Sequence, residues 1–184
     1  IKIDLKTNEE IKTACLERAK ECINTGYLGN IEKIMDFVEE YGIEIDLSEI
    51  ETACQNTVKA YIRIGDVRNS KKIMYFVKKY KIKIDLNENK EIKTACQDEV
   101  KRCINKKDIE CAKKIMDFAE EYGIKIDLNE NEEIKTACQK RAEGCINGGD
   151  ILGAKEIMDF VKKYGIKIDL SEIETACIGR VKEC

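Results

Sequence analysis

Ten cysteines and no histidine set the chemistry open to this 184-residue chain. Eight of the thiols fall in four Cys-x6-Cys pairs: Cys15/Cys22, Cys96/Cys103, Cys138/Cys145 and Cys177/Cys184. Cys54 is the ninth, with Tyr61 in the second slot, and Cys111 is the tenth. A spacing of seven residues is two helical turns, roughly 10.5 Å of rise. Disulfide Cα atoms lie ~4.4–6.8 Å apart, so the members of one such pair do not bond to each other along a helix. The spacing is not the Cys-x2-Cys of a zinc site, and no His completes a mixed one. Neither a metal nor a cofactor is expected. The thiols read instead as small apolar residues on a buried stripe. Two exceptions stand out. Cys103 and Cys111 flank a predicted helix turn and are the best-placed intrachain disulfide, and Cys184 is the best-placed intermolecular one.

An enzyme is not expected. The commonest neutral-pH acid/base is missing with His. No Walker loop, Gly-x-Ser-x-Gly or Gly-x-Gly-x-x-Gly occurs. The many carboxylates fall on the polar faces of predicted helices. The repeated Asp of an Ile-Asp-Leu mark (Asp4, Asp46, Asp85, Asp127, Asp169) reads as a helix cap. Gln55, Gln97 and Gln139 follow Thr-Ala-Cys at three successive steps, and they are the candidate residues for binding an extended peptide or a neighbouring subunit.

The elements that position these residues form a repeat. Ile-x-Ile-Asp-Leu begins at Ile1, Ile43, Ile82, Ile124 and Ile166, and a fixed period of this length is the mark of a stacked repeat architecture. Between 82–123 and 124–165, only 14 of 42 positions differ. All 4 Met and all 4 Phe fall in one stretch of the repeat, so the large apolar residues are dealt out once per unit. In the fourth unit Ile134, Ala137, Cys138, Ala142, Cys145 and Ile146 recur at spacings of three and four. They predict a helix A over about 132–147. Ile151, Ala154, Ile157, Met158, Val161 and Tyr164 predict a second helix, B. Asp150 is placed to cap B. Gly42, Gly123 and Gly165 are placed for a left-handed residue after B, where Lys81 breaks the pattern at some cost. Asp127-x-x-Glu130 and Asp46-x-x-Glu49 have capping-box spacing, with Ser48-x-x-Glu51 a rival.

The expected fold is therefore all-α: a right-handed α-solenoid of about four and a half antiparallel helix-pair repeats of 39–42 residues. One domain spans 1–184, with repeats at 1–42, 43–81, 82–123, 124–165 and a half repeat at 166–184. The absence of Pro suits uninterrupted helices. Net charge is −3, with 33 basic and 36 acidic residues, and that near balance disfavours a nucleic-acid partner. No run approaches the roughly 18 apolar residues of a membrane span. No signal-peptide pattern opens the chain. It begins without Met at the tail of a repeat mark, which predicts processing or trimming and leaves the compartment open. Helix B ends in Glu39-Glu40, Lys78-Lys79, Glu120-Glu121 and Lys162-Lys163 in turn, so opposite signs are expected to meet if B helices stack.

The run from Gly149 to Asp169 resembles the second helix of pentatricopeptide repeats: a Gly, apolar residues and Ala, an apolar pair, then Gly165-Ile166-Lys167-Ile168-Asp169. Ile168 stands where that family has Pro. The tetratricopeptide family shares the helix-pair plan. The resemblance covers about half of each unit and implies an αα-hairpin solenoid. It also implies, as an alternative function, single-stranded RNA binding, but the longer helix A breaks the register of that family's base-reading residue.

The leading expectation is a non-enzymatic protein-interaction or structural scaffold whose partner is another protein or itself. A solenoid normally ends in repeats with a polar outer face. Here the first A helix keeps Ile11, Ala14, Cys15, Ala19, Cys22 and Ile23. The last keeps Ile173, Ala176, Cys177, Val181 and Cys184. Ile173, Val181 and Cys184 are thus the candidate self-association residues. Two apolar ends on one molecule predict end-to-end contact and a filament.

Overall fold

The computed structural model describes residues 5–183, with side chains through residue 179. Among these residues the chain is helix and turn, with nine helices and no strand. The A helices are α1 (Glu9–Thr25), α3 (Leu47–Arg63), α5 (Lys90–Asn105), α7 (Glu132–Asn147) and α9 (Ser171–Glu183). The B helices are α2 (Leu28–Glu40), α4 (Val67–Lys79), α6 (Ile109–Glu121) and α8 (Ile151–Lys163). The chain divides into two compact units, Ile1–Ile92 and Lys93–Cys184, with the boundary inside α5.

Each unit shows the stacking of a helical repeat. In the first, α1 packs on α2, α3 on α4, α1 on α3 and α2 on α4. In the second, α7 packs on α8 and on α9, and α6 on α8. The stripe of α7 is buried as its periodicity requires: Ile134, Ala137, Cys138, Ala142, Cys145 and Ile146 all leave solvent. Such stripes exist because an isolated helix of this length is marginal in water and is held by its apolar face. Ile151, expected in the stripe of α8, is exposed instead. Val67 and Ile109, the first residues of α4 and α6, are buried at the same register.

The Phe of every B helix and the Tyr four residues on, which caps the helix, meet with their rings tilted, centroids 4.7 Å apart for Phe118–Tyr122 and 5.0 Å for Phe76–Tyr80. After each Tyr the chain turns through a left-handed residue, Gly42, Gly123 or Gly165, at φ of 61°, 69° and 62°. Lys81 takes the same conformation at φ 54°, a position that costs a residue bearing Cβ roughly 1–2 kcal/mol.

The two linker lengths use different caps. In the 39-residue unit Asp46 caps α3 directly, accepting from the Ser48 N–H at 2.8 Å. The reciprocal arm of the expected box is not made, because Glu49 pairs with Lys20. In the third and fourth units, of 42 residues each, Asp85 and Asp127 do not cap the helix. Asp127 accepts from the Asn129 N–H at 2.8 Å and closes a local turn, and Asn131 caps α7 by accepting from the Glu133 and Ile134 N–H groups. Asn8 and Asn89 accept from Ile11 and Ile92 in the same way. The extra residues also fold the Leu of the mark inward. Leu86 and Leu128 are 3% and 2% exposed, whereas Leu47 and Leu170, in the short linkers, are 41% and 47% exposed.

Candidate functional site

Two periodic sets of polar contacts join successive repeats, one between A helices and one between B helices. Along the A helices Lys20 pairs with Glu49, Lys59 with Glu91 and Lys101 with Glu133. Lys59 holds the Glu91 carboxyl below the usual range, and Glu133 raises the Lys101 ammonium. The fourth step breaks the pattern. Its Lys is replaced by Glu143, whose Oε1 is buried without a partner, and Glu172 accepts from Gln139 at 2.6 Å instead.

The predicted binding residues Gln55, Gln97 and Gln139 all lie in this seam. Each is half-buried. Gln55 accepts from the Asn89 side chain at 2.9 Å and donates to Glu51 at 3.2 Å. Gln97 donates to the Asp127 carbonyl at 3.4 Å. All three therefore bond the following repeat. The shallow groove lined by Lys101, Asn105, Glu133, Thr136 and Lys140 runs between α5 and α7 beside the same seam.

Between B helices the same lock appears in each unit. In the first, Tyr80, which caps the end of α4, donates to Asp36 of α2 at 2.7 Å, and Lys79 pairs with Glu32 at 3.1 Å. In the second, Tyr164, which caps the end of α8, donates to Asp117 of α6 at 3.2 Å, and Lys163 reaches the same carboxylate at 2.8 Å. Opposite signs meet within each unit, at the α2–α4 and α6–α8 steps, but not through the Glu-Glu pairs that were expected. The acidic partners are Glu32 and Asp117 in mid-helix, one to two turns before the Glu-Glu pairs at the helix ends. Each Lys also sits over its neighbouring Tyr ring, at 4.9 Å for Lys79 and 4.8 Å for Lys163. Burial raises both Tyr hydroxyls above their ordinary range.

The lock covers one face of α4 and of α8, and among the described residues of the first unit no such lock covers that face of α2. Phe37 is 37% exposed, whereas Phe76, Phe118 and Phe160 are 1%, 0% and 0% exposed. Tyr41, at the register of Tyr80, is also exposed. The A-helix thiols show both ends. Cys54, Cys96 and Cys138 are fully buried, Cys15 is half-buried and Cys177 is exposed. Ile178 beside Cys177 is exposed as well. Of the predicted self-association residues, Ile173 is buried on the side of α9 that faces its own unit. The open residues of α9 are Cys177 and Ile178. The side chain of Val181 and the whole of Cys184 lie outside the described residues.

Most thiols behave as the apolar residues they were expected to be. Burial pushes Cys54, Cys96 and Cys138 up to about 12, so they stay neutral at physiological pH. Cys22 and Cys145 are buried and free. Cys103 and Cys111 are joined as a disulfide across the α5–α6 turn, with Cα atoms 5.9 Å apart.

No protein-family model matches the chain, and neither does any curated protein. Its description as a helical repeat thus stands on its own periodicity and on the contacts above. No described helix is long and apolar enough to cross a membrane.

Proposed function

We propose that this chain is a non-enzymatic helical-repeat scaffold that binds protein through the open faces of its first and last repeats, with a second copy of itself as the occupant. The observation that carries this reading is the exposure of Phe37 and Tyr41, at a register where the later B helices bury the Phe. The face is built to be covered: it keeps the apolar text of its internal copies, and α9 offers Cys177 and Ile178 at the other end. Contact between unlike faces of two copies is heterologous and propagates unless it closes into a ring.

Light scattering against concentration tests this. Mass is expected to rise with concentration, and Phe37→Lys or Ile178→Lys is expected to abolish the rise while helical content is unchanged. Ile173→Lys is not a suitable probe, because burying its charge destabilises the fold itself. A single mass at every concentration, indifferent to both changes, contradicts the proposal.

A further inference from the structure

The third repeat carries a side-chain cluster that its sister repeats lack. At the register of Glu99 the other described repeats have Arg18, Thr57 and Arg141. At the register of Cys111 they have Asn30, Asn69 and Gly153, and at that of Arg102 they have Glu21, Ala60 and Gly144. Three departures from the repeat thus gather around one thiol, Cys103. We propose that Glu99, Cys103 and Cys111, with both cysteines as thiols, bind one soft divalent cation of the zinc class.

The fold brings the donors together from a spacing that has no metal signature in sequence. Glu99 and Cys103 lie four residues apart and so share one side of α5. Asp108 caps α6 by accepting from the Cys111 N–H at 2.9 Å, which fixes Cys111 in the first turn, facing back over Cys103. Glu99 Oε1 is 3.5 Å from Cys103 Sγ and 4.0 Å from Cys111 Sγ. The three donor atoms lie within 4.8 Å of one another. Zinc–sulfur and zinc–oxygen bonds of ~2.3 and ~2.1 Å at a tetrahedral angle put sulfur and oxygen about 3.6 Å apart, close to both observed distances.

Burial and charge also suit a cation. Glu99 is 2% exposed and Cys103 1%, while Cys111 is half-buried and leaves a side for water as the fourth ligand. Arg102 grips the carboxylate with two nitrogens: its Nε donates to Oε2 and its terminal NH2 to Oε1. With a cation on Oε1, Oε2 keeps its Arg102 partner, the outer hydrogen bond that orients a ligating carboxylate. Two thiolates, one carboxylate, one guanidinium and a divalent ion sum to zero charge, which a buried cluster requires.

The disulfide is the competing state of the same sulfurs. Two equivalents of a small thiol reduce it, giving two protein thiols and one small-molecule disulfide. Binding then forms two sulfur–metal bonds and one oxygen–metal bond and releases the two thiol protons. Oxidation and metal binding therefore exclude each other.

Cobalt(II) titration of the whole chain, reduced with a phosphine, tests the proposal. A thiolate-to-metal absorption band is expected to grow to one equivalent and to be displaced by zinc. The same protein with Cys103–Cys111 oxidised is expected to show no band, a comparison that needs no variant. Cys111→Asn and Cys111→Gly restore the residues of sister repeats and are expected to remove the band without loss of helical content. Glu99→Gln is expected to weaken binding, and Arg102→Gln to weaken it about 10-fold. Cys15→Ser is expected to leave it unchanged. No band in the reduced protein, or a band that survives oxidation or both Cys111 variants, overturns the assignment.

Discussion

Helices α2 and α4 sit at the same register of the repeat, yet Phe37 is 37% exposed and Phe76 is 1% exposed. The Ile-Met-x-Phe-Val core of the two helices is identical. What differs is the neighbour. Phe76 and Tyr80 pack back against α2, with Tyr80 locked onto Asp36, and no described helix does this for α2. In a repeat protein the burial of a residue is therefore a property of the junction as much as of the sequence. An uncovered copy of a junction face is a candidate binding surface.

The sharpest test of that comparison is truncation of the two rings. Phe76→Ala is expected to cost about 3–5 kcal/mol, as for a fully buried aromatic. Phe37→Ala is expected to cost about 1–2 kcal/mol, in proportion to the smaller area it buries. Urea unfolding measures both, and equal costs would show that α2 is covered after all. The hydroxyls come next. Tyr80→Phe leaves Asp36 without its donor and is expected to cost about 1 kcal/mol, while Tyr41→Phe is expected to leave stability unchanged.

The linkers give a comparison of similar size. Asn131→Ala removes the cap of α7 and is expected to cost about 1 kcal/mol. Asp127→Ala, which opens only a local turn, is expected to cost less, and the reverse order would restore Asp127 as the cap. The smallest effect is in the A-helix seam. Glu143→Lys supplies the cation that Lys20, Lys59 and Lys101 provide at the other steps. It is expected to gain up to about 0.5 kcal/mol, the scale of a partly exposed pair, read as a rise in the thermal midpoint.

Helices were legible from the sequence because their apolar spacing is dense and repeated. The stripe of α7 and the Asp150 cap, which accepts from Gly153 N–H at 2.9 Å, were both readable residue by residue. The cap of α7 was not. Asp127 and Asn131 are both good caps, and the choice depends on the turn closed by Asp127 at Asn129, which the Asp-x-x-Glu spacing does not show. The pairing of Cys103 with Cys111 was readable from their places either side of a turn. The role of Glu99 beside them was hidden, because its spacing matches no ligand pattern and its oddity shows only against Arg18 and Arg141. Gln55, Gln97 and Gln139 were read as candidates for binding a peptide or a neighbouring subunit, because a helix read alone does not reveal the next repeat that takes up their hydrogen bonds.

The most direct test of end-face association is the alkylation rate of Cys177, read by mass spectrometry on the tryptic peptide that ends at Arg180. Cys54, Cys96 and Cys138, buried and pushed up to about 12, serve as slow internal references. If α9 of one copy meets α2 of the next, Cys177 is expected to react quickly in dilute protein and progressively more slowly as concentration rises. Phe37→Lys is expected to restore the fast rate at every concentration. A Cys177 rate that does not change with concentration, in the native chain and in Phe37→Lys alike, would contradict the account.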